Sequence, residues 1–161
     1  MAHGGAPERE LPAERGLLVG AFPSEVVRVI ASLLAPFVML FGLYVTAHGH
    51  YGPGGGFGGG VLIAVGPVML KVAYPGAAVA RRLPGGLVLA VALLGFGAFV
   101  LIGLAPMLFG GAFLDYAAVP IGELATSRLR YLGILAVELV IGIAVAGTIL
   151  AIFDAVTEGG S

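Results

Sequence analysis

From Val29 to Leu70 the chain carries no Asp, Glu, Lys or Arg, and the stretches 83–114 and 131–153 together add only Glu138. A bilayer core about 30 Å thick is crossed by roughly 20 apolar residues of helix. Soluble domains place charges far more densely, at about a quarter of their residues; here charged residues are 11% and hydrophobic ones 59%. A chain with so little polar surface uses lipid as part of its solvent. The expected fold is all-α, an integral membrane bundle of about four transmembrane helices.

A glycine-rich stretch divides the first uncharged run in two. The spans are expected at about 24–46, 60–80, 87–109 and 131–153, within a transmembrane domain of residues 24–156. A polar tail, 1–23, precedes it and a short one, 157–161, follows. Ser24 suits the N-cap of the first span, and Pro36 falls near its middle. The second span is short and carries Pro67. Arg81, Arg82 and Pro84 mark the next loop, and a longer connection, 110–128, holds Asp115, Pro120 and Glu123. In the N-terminal tail the apolar run Leu17–Val19 is too short for the core of a secretory signal. Arg9, Arg15, Arg28, Lys71, Arg81 and Arg82 would share one side of the membrane, with Arg128 and Arg130 opposite. The excess of basic residues on the inner side places both termini in the cytoplasm.

Composition also removes several classes of function. Without cysteine there are no disulfides, thiolate metal sites or cysteine nucleophiles. A net charge of −1 gives no reason to expect nucleic acid. No Ser/His/Asp set, paired carboxylates or metal constellation is visible, so neither an enzyme nor a cofactor is expected.

The most distinctive local feature runs from His48 to Gly60, HGHYGPGGGFGGG. Glycines permit close backbone approach, and Pro53 interrupts a helix. Irregular backbone is costly in lipid, so this re-entry between two helices has to meet water, the interface or protein. No Gly-Lys-Ser/Thr follows, which argues against a phosphate loop. His48 and His50 offer two ligands with no nearby carboxylate, a weak basis for a metal. The expected role is packing.

Glu138 is the leading single residue. It lies eight positions past Arg130, about 12 Å of helix at 1.5 Å per residue. An acid at that depth is costly unless protonated or paired, and so marks either a helix contact or an ion path. Lys71 and Arg28 are secondary candidates. Lys71 reads as a side chain reaching from a helix end to the interface, and Arg28 as an anchor at the mouth of the first span.

Ser24-Glu25-Val26-Val27-Arg28, Pro36, Gly42-Leu43-Tyr44 and the run to Gly60 resemble the N-terminal half of the MnhB family, found in multisubunit Mrp-type Na+/H+ antiporters. In that family a Gly-His-x-x-Pro-Gly-Gly-Gly-Phe-x-Gly-Gly turn closes the first helix. Gly49 to Gly59 match it without a gap, through His50, Pro53, Gly54, Gly55, Gly56 and Phe57. The likeness extends over about Ser24 to Phe153. Glu138-Leu139-Val140-Ile141-Gly142 is instead similar to a form found in related subunits of membrane-bound hydrogenase complexes. The resemblance implies a non-catalytic, multi-pass subunit of a prokaryotic cell membrane, with other membrane subunits as partners and Na+ and H+ as the exchanged ions. A hydrogenase-type parent complex and a small homo-oligomeric channel are the alternative readings.

Overall fold

A computed structural model describes residues 24–49, 55–74, 83–120 and 125–158. Among them there are four long helices and no strand: α1 (Glu25–Ala47), α2 (Gly55–Ala73), α3 (Gly85–Leu104) and α4 (Thr126–Glu158). All four are long and apolar enough to cross a membrane. A 3-10 turn, Ala105–Phe109, continues α3.

Each helix starts or stops for a local reason. Ser24 Oγ accepts the amide of Val27 at 3.4 Å, and Glu25 sits in the first turn, where an acid favours the positive end of the helix. Pro106 coincides with the change from α to 3-10 winding, and Gly110, at φ +81°, ends the turn. The connection then folds back onto the bundle. The Phe113 ring fills the notch at Gly103, and the Tyr116 ring lies over Gly133 of α4. Burial there pushes the pKa of the Tyr116 hydroxyl above its ordinary value.

The helix bounds depart from expectation most at α2. It begins at Gly55, inside the glycine run, and ends at Ala73, where 60–80 was expected. Gly55, Gly56, Phe57 and Gly59 are therefore helical rather than part of a turn. Glycine costs a helix interior about 1 kcal/mol relative to alanine. Here that cost is offset by approach: α2 lies between α1 and α4, and the glycines let both neighbours close onto its backbone. A methyl group at Gly42 would lie 2.8 Å from Gly59 O, and one at Gly60 would lie 2.6 Å from Gly142 O. Small residues used in this way are how membrane helices gain packing energy when lipid removes the hydrophobic drive. α3 packs on the other side of α4 in the same style, through Gly95 against Ala144 and Gly147 against Ala92.

The interior is correspondingly thin. α1 buries only Ala31, Ala35, Gly42 and Thr46, a stripe at helical spacing. Its Leu33, Phe37 and Leu40 are each more than 60% exposed. Such outward apolar surface suits lipid or neighbouring helices and would be a liability in water.

Candidate functional site

Glu138 meets the glycine run. A Cβ on Gly49 would overlap Glu138 Oε2 outright and lie 2.6 Å from its Cδ; one on Gly55 would stand 3.1 Å from Oε2. At Gly56 an added Cβ would lie 2.5 Å from the Glu138 carbonyl oxygen. The end of α1 and the first turn of α2 thus enclose the carboxyl group and the backbone that carries it. Oε2 is closed off from solvent, while the residue as a whole is half-buried. This enclosure needs glycine at all three positions.

The packing continues one turn further into the bundle. Thr46 is 2% exposed, and its hydroxyl donates to Gly42 O at 3.0 Å. That bond satisfies a polar group that would otherwise be stranded in an apolar contact. Thr46 lies against Gly59 on α2, and its methyl group is 3.5 Å from where a Gly142 side chain would begin on α4. One small side chain therefore sits where α1, α2 and α4 meet, directly beneath Glu138. Sequence reasoning passed over Thr46. The available signal was its position as the last buried residue on the Ala31, Ala35, Gly42 stripe.

Other residues singled out in the sequence lie elsewhere. His50, Pro53 and Gly54 fall outside the described residues. Phe57 is 62% exposed and borders an apolar groove of about 930 Å³ between α3 and α4, lined by Leu89, Phe96, Val145 and Ile149. That groove does not include Glu138. The His48 ring turns back onto its own helix, with Nδ1 3.0 Å from Tyr44 O. No three His, Cys, Asp or Glu side chains group together among the described residues. Arg28 stacks over the Tyr74 ring at 5.8 Å and pairs with exposed Glu25 at 3.6 Å. Tyr74 in turn shares a 2.8 Å hydrogen bond with Ser32, so this group ties α1 to the end of α2.

Lys71 departs from its sequence reading. Its ammonium group does not run out to water but ends on Asp154 of α4 in an ion pair, with the two side chains only 10% and 16% exposed. The cause is helix register. α2 and α4 run parallel with Gly60 against Gly142, which brings residues 71 and 154 level, eleven and twelve positions further on. Asp154 was read only as the boundary of the last span.

The model for a domain related to the MnhB subunit of Na+/H+ antiporter matches residues 26–151. The chain is 34% identical to the B-type subunit of the Na(+)/H(+) antiporter of Bacillus subtilis (strain 168) over 139 residues, covering 77% of this chain and 91% of that protein. It is 30% identical to the antiporter subunit mnhB2 of Staphylococcus haemolyticus (strain JCSC1435) over 138 residues, covering 84% and 96%. No solved structure matches it. The matched region takes in all of α1, α2 and α3 after Glu25, together with Glu138 and its glycine partners, and the chain belongs to the family of domains related to the MnhB antiporter subunit.

Proposed function

We propose that this protein is a non-catalytic membrane subunit of a multisubunit antiporter that exchanges protons for Na+ or another monovalent cation, working beside other membrane subunits. Both termini face the cytoplasm, which puts Arg128 and Arg130 on the outer side. Family membership supports the parent complex. The observation that carries a role for this chain is the enclosure of Glu138 by Gly49, Gly55 and Gly56. A carboxyl group held inside a membrane bundle can take up and release a proton, and glycine walls let backbone rather than bulky side chains surround it. The broad apolar surface of α1 serves as the interface with partner subunits.

The test is Glu138→Gln in the assembled complex. The amide keeps the size and hydrogen-bonding capacity of the protonated acid but cannot ionise. Assembly is expected to be intact while cation-driven proton movement in vesicles falls. Unchanged transport at equal amounts of complex would leave Glu138 with a purely structural role.

A further inference from the structure

α4 has helix neighbours on opposite sides. Gly142 meets Gly60 of α2, while Ala144 and Gly147 meet Gly95 and Ala92 of α3. Between these contacts one stripe of α4 remains, at steps of four and three residues: Ile141, Val145, Thr148, Ile152 and Ala155. That stripe is the floor of the apolar groove. α3 forms one wall, from Gly85 to Phe99, and Phe57 of α2 borders the other. The walls and floor face outward: Leu93 is 62% exposed, Phe96 60% and Ile152 58%. Both stretches, 85–99 and 141–155, are described without a break.

The shape of the groove decides what fits it. Fourteen residue steps on each helix make it about 21 Å long at 1.5 Å per residue, more than half of a hydrocarbon core about 30 Å thick. Spread over that length, 930 Å³ is a mean section of about 44 Å², against roughly 80 Å² for a helix 10 Å across. A partner helix would therefore rest on the rim and leave the floor empty, which loses packing contacts on both sides. Hydrocarbon chains reach the floor.

The polar groups of the groove lie where they distinguish one end from the other. Thr148, halfway along, donates its hydroxyl proton to Ala144 O at 2.8 Å and asks for no further partner donor. Asp154 is the one charged side chain on the lining among the described residues. The antiparallel register that sets Gly95 against Ala144 and Ala92 against Gly147 brings Gly85, the first residue of α3, level with it. Lys71 holds one oxygen of that carboxylate, and a carboxylate accepts from more than one donor. The pair has no net charge, so it offers nothing to an anionic headgroup. A trough that is apolar along its length and carboxylate-lined at one end suits an amphiphile with a cationic group on its head.

We infer that the groove holds the acyl chains of a phospholipid whose ammonium-bearing headgroup, as in phosphatidylethanolamine, lies against Asp154. The bound lipid covers the stripe of α4 that α2 and α3 leave open. Its site is separate from Glu138, which the groove does not include.

The test places a photoreactive benzoylphenylalanine at Phe96 in the assembled complex, in vesicles of equal parts phosphatidylethanolamine and phosphatidylglycerol. After illumination, the mass of the adduct on this chain identifies what lay in the groove. Phosphatidylethanolamine adducts are expected to outnumber phosphatidylglycerol adducts about threefold, the scale of a partly exposed ion pair. The same probe at Leu101, 70% exposed on another face of α3, is expected to return no such preference. Lys71→Met combined with Asp154→Leu removes the carboxylate without stranding a charge, and should bring the Phe96 adducts to the vesicle ratio. A preference that survives in that variant would overturn the assignment to Asp154. A polypeptide adduct at Phe96 would overturn the inference in favour of a partner helix. Equal shares of the two lipids at Phe96 would leave ordinary boundary lipid only, and an excess of phosphatidylglycerol would reverse the headgroup choice; either result overturns it. Leu93, on the same wall, carries the probe should the Phe96 variant not assemble.

Discussion

A methyl group at Gly58 would meet no atom within 4 Å, whereas one at Gly59 would overlap the Thr46 hydroxyl and press on Gly42 O at 2.6 Å. The two positions are neighbours in sequence, and a glycine-rich run gives no local reason to tell them apart. Their substitution should separate them. Gly58→Ala is expected to be neutral or to stabilise the chain by up to about 1 kcal/mol, the difference in helix propensity. Gly59→Ala is expected to destabilise by about 1–3 kcal/mol, because backbone on both sides has to move. Thermal unfolding of the detergent-solubilised protein measures both, and equal melting temperatures for the two variants would refute the packing described for α2. At Glu138 the same logic distinguishes substitutions. Glu138→Ala leaves a cavity beneath Gly49 and Gly55, and it should lower assembly as well as transport, unlike the glutamine variant.

α2 and α4 are joined at three levels: Glu138 with Gly55 and Gly56, Gly142 with Gly60, and Asp154 with Lys71. Removing one partner of the ion pair strands a buried charge, so Lys71→Met alone is expected to cost about 3 kcal/mol. Lys71→Met combined with Asp154→Leu should recover most of that loss, since two apolar side chains suit the site once neither charge remains. A double variant no more stable than the single one, by the same unfolding assay, would mean that the pair does not couple these helices. This element scale is where sequence reading stopped short. The number of spans, Glu138 and the glycine run could be read locally from charge spacing and residue type. That Glu138 and the run touch, that Lys71 finds Asp154, and that α2 starts at Gly55 all depend on the parallel register of two helices separated by α3. No local pattern encodes that register.

For the whole molecule, the proposed topology of four crossings, one for each helix long and apolar enough to span, is expected to bring both chain ends to the same side of the membrane. Cysteines at Gly5 and Glu158 are expected to label from one face and a cysteine at Asp115 from the other. Labelling of Gly5 and Glu158 from different faces would mean that one helix, most readily the short α2, does not span. The bundle also presents an imbalance. α4, with 33 residues, extends about 50 Å, while α2, with 19, extends about 28 Å, roughly the thickness of the hydrocarbon core alone. The hairpin fits that layer only if its turn lies close to one boundary of it or is bordered by water or protein.

The ion pair that closes the far end joins residues 83 positions apart. At a synthesis rate of about 5–20 residues per second, Asp154 leaves the ribosome about 4–17 s after Lys71. Through that interval α2 holds a cation whose counter-charge has not yet been made, and its side chain has to stretch to the headgroups in the meantime. In the folded chain the interfacial lysine expected from the sequence is replaced by the pair with Asp154. The last helix to be made completes that pair, and a ribosome that stalls before Asp154 leaves α2 waiting with its lysine at the membrane surface.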